Sequence, residues 1–316
     1  MSIGTSVAAC GNVCFLNSTS KIATVWFGEN QRALATALGS LANPLGSIIG
    51  FILPSLFLSE SDEQDIVVAQ AKFGRYLVAQ NSLATIAGLF LILIVKEKPP
   101  TPPSKAATTP APDVSFLYEL RGLLNNRSYV FLVLSYGSLY GTVLAIGAII
   151  SSLTEQYSYS GKDNSIFGGV FIGSGMIGSL AVGILLDKFR KYKLSVVIIA
   201  VMSFVLISTT YYSLPSGKTV LFALNIASYG LFAVPFVPLS FAFSVELTYP
   251  QPEAVSNGMM IMTAKFYGTA ITVGGGIMAA KLGPLYAITL FSVNNLIALV
   301  ISFFIKEELR RLRSSA

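Results

Sequence analysis

Nine apolar stretches, each long enough to cross a bilayer as a helix, constrain the fold of this chain more than any other feature. The hydrocarbon core of a bilayer is about 30 Å thick, so one helical span needs roughly 20 mostly apolar residues. The predicted spans are residues 3–27, 33–58, 73–95, 129–153, 165–186, 194–212, 219–245, 255–280 and 284–305. Charged residues make up only 11% of the chain, where soluble domains have about 25%. The sequence therefore predicts an all-α polytopic membrane protein with nine transmembrane helices.

The chain has few side chains of the kinds that catalyse reactions or bind metals. The chain has no histidine, which is the usual general base and the commonest metal ligand. Its two cysteines, Cys10 and Cys14, are four residues apart in an apolar stretch, and we interpret them as free thiols in a helix. Because the sequence contains no nucleophile elbow, P-loop or metal-ligand cluster, we expect no enzyme activity, no metal site and no cofactor.

Basic residues are distributed unevenly between the two sides of the membrane. When loops are assigned to alternate sides, fifteen Lys and Arg fall on one side and five on the other. Because Lys and Arg accumulate in cytoplasmic loops, the side with fifteen is predicted to be cytosolic. This places the first residue outside and the tail inside. The basic pI then reflects membrane insertion, and we do not expect nucleic acid as a partner.

A proline-rich segment divides the spans into three and six. Residues 97–127 contain PPTPPSKAATTPAPD and are predicted to be a cytosolic linker, with a short amphipathic helix on the membrane surface at 116–125. Residues 1–96 are predicted to form a partial N-terminal bundle, 128–305 a six-helix C-terminal bundle, and 306–316 a basic cytosolic tail. Six spans after a cytosolic linker are typical of the second half of a 6+6 carrier. We therefore interpret the first three spans as the last three of the N-terminal half, and expect three more upstream.

A charged motif ends the fifth span. It reads Gly183-Ile-Leu-Leu-Asp187-Lys188-Phe-Arg190-Lys191 and places a carboxylate at the membrane edge beside a basic cluster. Such an edge can hold neighbouring helices through charge pairs and helix-end dipoles, although an ordinary positive-inside loop has a similar composition. The order resembles the loop motif of the major facilitator superfamily, without the family's second glycine between the basic residues. That resemblance implies the major facilitator fold and a gating role for the motif.

Longer segments resemble one family within that superfamily. They are KIATVWFG (21–28), QRALAT (31–36), VELTYPQPE (245–253) and SNG (256–258). Together they are similar to the feline leukaemia virus subgroup C receptor family, solute carrier family 49, from its fourth to its twelfth span. ANPLG (42–46) and PPTPPS (99–104) most resemble its third, poorly characterised member. The family implies transport of a small solute, and its members are associated with choline and ethanolamine, haem and pyridoxine.

Three departures from the choline-carrying members argue against choline as the substrate. Pro44 follows Asn43 where those members have Gln, and Lys265 also replaces a Gln. Their aromatic cage residue corresponds to Leu144, with Tyr140 one turn earlier. A quaternary ammonium is recognised by aromatic faces around the cation. A lysine beside that site would repel it, because both groups are positively charged. Haem also has little support, since there is no His for axial ligation.

Lys265 is the strongest candidate for a substrate contact. It is the eleventh residue of its span, about 16 Å into the membrane at 1.5 Å per residue. A cation at that depth costs about 2.5 to 3.5 kcal/mol on insertion scales, so it should face a cavity or a partner. The functional interpretation is contact with an anionic group, or a proton-coupled site. The structural alternative is a lysine that snorkels or bonds a neighbouring helix.

Further polar or aromatic side chains in the spans are secondary candidates for a substrate cavity, although such side chains more often join helices. These are Asn12, Asn43, Tyr140, Asn225, Tyr229 and Tyr267.

The predicted function is secondary transport by alternating access around a site near the bilayer midplane. The alternatives are a non-transporting scaffold or receptor and an inactive fragment. The expected partners are the lipid bilayer, a small-molecule substrate and a coupling ion, and the plasma membrane is the favoured location.

Overall fold

The computed structural model describes residues 29–57, 66–94, 116–157 and 159–308, together with isolated positions at 11, 22, 25–27, 96, 99 and 100. The chain divides into two compact units, Met1–Pro112 and Asp113–Ala316. In the first unit, the described elements are two long helices, α1 (Glu29–Phe57) and α2 (Ile66–Ile94). The helix α1 continues through both Pro44 and Pro54.

The second unit is a helical bundle preceded by a short helix. Its described helices are α3 (Phe116–Asn125), α4 (Arg127–Thr154), α5 (Gly161–Phe189), α6 (Tyr192–Ser213), α7 (Thr219–Ala233), α8 (Phe236–Thr248), α9 (Glu253–Lys281) and α10 (Pro284–Phe303). Eight of the nine predicted spans therefore fall on described helices, and of the first, at 3–27, only residues 11, 22 and 25–27 are described. The structure confirms the all-α membrane fold class.

Six segments among the described residues are long and apolar enough to cross a membrane. They are Val67–Ile94, Arg127–Tyr157, Gly161–Leu186, Tyr192–Ser216, Thr219–Thr248 and Pro284–Phe303. Within α1, the strongly apolar part is the shorter Ala42–Pro54. The helix α9 has 29 residues, enough to span, but its Lys265, threonines and glycines make it less apolar. The least apolar long helix of the bundle is therefore the one that contains the half-buried Lys265.

The seventh predicted span is broken in the middle. The helix α7 ends at Ala233 and α8 begins at Phe236, with a turn at Val234 and Pro235 between them. Pro235 has no N–H to donate to the preceding turn, which explains why one continuous helix is interrupted here. Glycines of α5 contact this break directly, since a methyl group added at Gly178 would overlap the Leu231 carbonyl. The break is thus fixed by close helix packing.

The helix α4 lies at the centre of the bundle. Most of its side chains are buried, including Tyr129, Leu132, Tyr136 and Leu139, which are inaccessible to solvent. It packs against α9, α10 and α8, and its first turn is capped by Asn126, whose side chain accepts a bond from Tyr129 N and donates one to Leu247 O at 2.8 Å. Asn126 therefore joins the beginning of α4 to the end of α8.

The short helix α3 forms within the predicted linker, as the amphipathic pattern of 116–125 indicates. Its Leu123 is 1% exposed, and Gly122 lies close enough to the side chain of Gln251 that an added methyl group would approach it to 3.0 Å. The helix therefore packs on the turn between α8 and α9, in addition to any contact with the membrane surface.

Candidate functional site

The side chain of Lys265 lies at the edge of the buried stripe of α9. Ile261, Ala264 and Gly268 are buried, whereas Phe266 is 71% exposed and points away from the bundle. Lys265 lies between these two faces and is half-buried. Its carbonyl accepts a bond of 2.8 Å from the Thr269 hydroxyl, which is the next polar group on that side of the helix. The lysine is therefore partly shielded by the bundle.

The helices α4 and α9 run side by side in one register over most of their length. Tyr129 donates to the Ser256 carbonyl at 2.7 Å, and a methyl group added at Gly141 would lie 3.2 Å from the Gly268 Cα. At both contacts the α9 residue number is 127 greater than that of its α4 neighbour. Tyr140 is therefore level with Tyr267, within about 3 Å of the height of Lys265 along the helix axis.

A hydrogen-bond network joins α4, α9 and α10 on one side of this helix pair. The Tyr267 hydroxyl donates to Asn294 Oδ1 at 2.7 Å, and the Asn294 Nδ2 donates to the Ser138 carbonyl and to the Thr142 hydroxyl, both at 2.8 Å. Asn294 is 2% exposed. Because this network satisfies the buried amide from two other helices, it fixes which side of α4 and of α9 faces α10.

Tyr140 and Lys265 share the opposite side of the α4–α9 pair. Tyr140 is two residues before Thr142, and Lys265 is two residues before Tyr267. Both Thr142 and Tyr267 face α10. Two residues correspond to about 200° around a helix. The two candidates are therefore at the same depth, near the middle of their helices, and on the same side.

Aromatic rings extend this side of α4 towards α8. The ring of Tyr140 stacks on Tyr136 with centroids 5.4 Å apart, and Tyr136 contacts Phe241 at 5.7 Å and Phe236 at 6.4 Å. Tyr136 and Phe236 are fully buried, whereas Tyr140 and Phe241 are partly exposed. We call these four residues the aromatic wall. Its accessible rings can contact the apolar or π face of a small molecule.

No carboxylate reaches the level of Lys265 from the described helices that pack on α9. The helices α4 and α10 contain no Asp or Glu, and the only acid of α8, Glu246, is near its C-terminal end. The short helix α3 contains Glu119, which precedes the first turn of α4. On α9 itself, Glu253 is at the first residue. Within these helices the ammonium group therefore has no counter-charge, and a bound anion can supply one.

Two other predicted cavity residues join helices inside the bundle. Asn225 of α7 donates to Thr209 at 2.6 Å and accepts from Thr210 at 2.7 Å, both on α6. Tyr229 is fully buried, accepts from Asn295 at 3.2 Å and stacks on Phe171 with centroids 6.0 Å apart. In this structure both side chains hold α7 against its neighbours.

The remaining predicted cavity residues are in three different places. Leu144 lies one turn above Tyr140, and its Cδ1 is 3.2 Å from the position of a methyl group added at Gly268. Asn43 is exposed on α1, in the first unit. Asn12 lies outside the described residues. Of the eight predicted cavity residues, the structure therefore brings Tyr140, Leu144, Lys265 and Tyr267 to the α4–α9 contact.

The predicted gating motif ends α5 and begins α6. Gly183, Lys188, Arg190 and Lys191 are exposed, and the side chain of Asp187 lies outside the described part of the chain. Arg190 has a φ of 52°, in the left-handed region, and its N–H donates to the Leu186 carbonyl at 2.8 Å. The tight turn is therefore made without the glycine that usually takes this conformation.

Asn294 and Asn295 are functional candidates that the sequence interpretation missed. They are consecutive, fully buried residues of α10, and they bond to different helices. Asn294 bonds to α4 and α9, and Asn295 bonds to α6 and α7. Two adjacent amides in the middle of an apolar span were the available signal, since membrane helices use such groups to bind neighbours.

Comparisons with known proteins agree with this architecture. Residues 1–273 match the family model described as Major Facilitator Superfamily. A solved major facilitator superfamily transporter, FucP in the outward conformation, superimposes with a TM-score of 0.62 at 16% identity, covering 92% of this chain and 72% of that one. At that identity the likeness shows the fold alone.

Two sequence relatives identify the family within this superfamily. The chain is 30% identical over 319 residues to the choline/ethanolamine transporter flvcr2a of Danio rerio, covering 99% of this chain and 67% of the relative. It is 28% identical to the choline/ethanolamine transporter FLVCR2 of Homo sapiens, covering 99% of this chain and 60% of the relative. The chain thus spans about two thirds or less of the length of these relatives. On the family match, the shared fold and these relatives together, the chain belongs to the major facilitator superfamily, in the feline leukaemia virus subgroup C receptor family.

Proposed function

We propose that this chain is the substrate-binding part of a membrane carrier for a small organic solute that has an anionic group. The observation that supports this most is the position of Tyr140 and Lys265 at one depth and on one side of the α4–α9 pair. Both lie near the middle of helices long enough to cross the membrane. Carriers of this superfamily type bind substrate near the midplane, between two bundles.

The two side chains favour different parts of such a solute. The Tyr140 ring, held at 5.4 Å from Tyr136, offers an apolar π face, and Lys265 offers a positive charge without a counter-charge from the neighbouring described helices. A carboxylate or phosphate would pair with the ammonium group, and in a site shielded from water that attraction is strong. The preferred substrate is therefore an organic anion or zwitterion with an apolar portion.

The named relatives transport choline or ethanolamine. Each of those solutes is a cation, and Lys265 would repel it at close range. We infer that this chain has kept the transport architecture of the family and changed its charge selectivity. Transport, rather than catalysis, is also the activity in the names of these relatives.

The direct test is uptake of radiolabelled solutes into proteoliposomes containing the chain, with a panel of organic anions, zwitterions and cations. We expect accumulation of at least one anion or zwitterion above protein-free vesicles. Tyr140→Ala should raise the KM about tenfold by removing ring contact with the solute. Tyr140→Phe should keep most of that ring contact.

Tyr212→Ala is the matched control, because Tyr212 is 79% exposed at the far end of α6. It should leave uptake unchanged. If no solute of any class accumulates, the chain is not by itself a carrier. Uptake that is insensitive to Tyr140→Ala would move the substrate site away from the aromatic wall.

A further inference from the structure

We propose that the end of the bundle formed by the α5–α6 turn and the end of α10 binds the headgroup of an anionic phospholipid. This site is separate from the aromatic wall and does not depend on the proposed substrate. We call it the headgroup site, and define it by Lys188, Arg190 and Lys191 of the turn and Lys306 after α10. All four side chains are exposed.

The two segments are held together by polar contacts of Lys193. Its Nζ donates to the Phe303 carbonyl at 3.2 Å, and its backbone N–H donates to Glu307 Oε1, also at 3.2 Å. The helices α6 and α10 also pack along their length. Lys193 is thus engaged with the end of α10, while Lys306 is brought to the same edge as Lys188, Arg190 and Lys191.

Exposed apolar side chains are close neighbours of these cations along the chain. Phe189 is 56% exposed, Leu194 51%, Phe303 56% and Phe304 61%. Further along α6, Ile198 continues the exposed apolar face. The Lys188 ammonium group lies 5.5 Å from the centre of the Phe189 ring, at the boundary between the charged and apolar parts.

This arrangement fits an anionic phospholipid. Cations at a helix end attract phosphate, and in a membrane the neighbouring exposed apolar side chains are covered by acyl chains. A lipid that covers them can place its phosphate against the cations. The charge distribution of the loops also predicts that this edge is cytosolic, and the cytoplasmic leaflet is the one that carries anionic lipids.

Glu307 lies at the same edge and its negative charge opposes a phosphate. Its Oε1 accepts from the Lys193 N–H at the beginning of α6, so one carboxylate oxygen is directed to the helix end. Glu308 follows it and is half-buried. The four exposed cations outnumber these two carboxylates.

The test measures lipid selectivity of the whole chain in vesicles, using spin-labelled phosphatidylglycerol and phosphatidylcholine and the fraction of each that the protein immobilises. The combined variant Lys188→Gln, Lys191→Gln and Lys306→Gln should lose most of the preference for phosphatidylglycerol, about a threefold or greater drop. Raising NaCl to 1 M should reduce the preference of the unmodified protein in the same direction.

A matched control replaces three exposed lysines elsewhere in the described bundle, as Lys162→Gln, Lys218→Gln and Lys281→Gln. It changes net charge equally and should keep the preference. The Lys→Arg form of the first triple variant should also keep it, which separates loss of charge from loss of fold. Equal loss in both Gln variants, or no loss in the first, would overturn the proposal.

Discussion

The Tyr267 hydroxyl of α9 donates a hydrogen bond of 2.7 Å to the side-chain carbonyl of Asn294 on α10. Asn294 in turn donates to Ser138 and Thr142 of α4, so one buried amide joins three helices. This network fixes the rotation of α4 and α9 and thereby places Tyr140 and Lys265 on the opposite side of the pair.

Removing the Tyr267 hydroxyl should weaken the bundle. Tyr267→Phe leaves the buried Asn294 oxygen without its donor, and we expect a loss of about 1 kcal/mol in unfolding free energy. Thermal unfolding of purified protein in detergent measures it. Tyr286→Phe is the control, because Tyr286 is 57% exposed on α10 and should be neutral. Equal stability of both variants would mean that the network is not needed to orient the helices.

The contact between α5 and α7 should not tolerate a methyl group. A Cβ at Gly178 would overlap the Leu231 carbonyl and approach the Pro235 ring to 2.9 Å. Gly178→Ala should therefore destabilise the bundle by about 1 to 3 kcal/mol. Gly173→Ala on the same helix is the control, since no atom lies within 4 Å of its added Cβ. In a thermal-unfolding assay, Gly173→Ala should have a higher Tm than Gly178→Ala. The reverse order would be incompatible with the close contact.

The turn after α5 should accept glycine and reject a branched side chain. Arg190 has a φ of 52°, which strains most residues but not glycine. Arg190→Gly should keep or raise stability, and Arg190→Val should lower it by about 1 to 2 kcal/mol. Because glycine removes the charge as well, Arg190→Ala is needed to separate charge from backbone strain, and it should fall between the other two. Identical stability of Gly and Val variants would contradict a left-handed turn.

The sidedness predicted from the loop charges has its own test. In a background with Cys10 and Cys14 replaced by Ser, single cysteines at Ser104 and Ser314 are predicted to be cytosolic. A membrane-impermeant maleimide should fail to label them in intact cells and should label them after permeabilisation. A cysteine at Lys218, on the predicted outer side, is the positive control. Labelling of Ser104→Cys in intact cells would reverse the topology.

Much of the fold follows from the sequence, because spans are set by length and hydropathy. The predicted spans 129–153 and 284–305 agree with α4 and α10 to within two residues at both ends. The predicted span 219–245 did not show the break at Val234 and Pro235. An apolar stretch has the same hydropathy whether the span is one continuous helix or two shorter helices. A proline such as Pro235 favours a kink in a helix. The break is also held by the close contacts of Gly175 and Gly178 with α7 and the turn, and sequence alone does not show that these helices pack together.

The candidate site was less predictable, because it depends on helix rotation. Lys265 stood out as a charge in an apolar span, and its depth followed from counting residues. Tyr267 is also polar and lies at a similar depth, yet its hydroxyl bonds to α10. Only the partners on other helices distinguish a side chain that joins helices from one that faces a cavity, and Asn294 and Asn295 were overlooked for the same reason.

The charge selectivity attributed to Lys265 is tested most directly by uptake of labelled anions, zwitterions and cations through the unmodified chain, Lys265→Gln and Lys265→Ala in proteoliposomes. Lys265→Gln should lose anion uptake and gain cations such as choline, and Lys265→Ala should abolish uptake of the native solute. Both should fold, because replacing a half-buried cation relieves its desolvation. Lys281→Gln at the end of α9 is the matched charge control, and it should change neither anion uptake nor cation uptake. Unchanged selectivity and rate in both Lys265 variants would contradict a substrate role for this lysine.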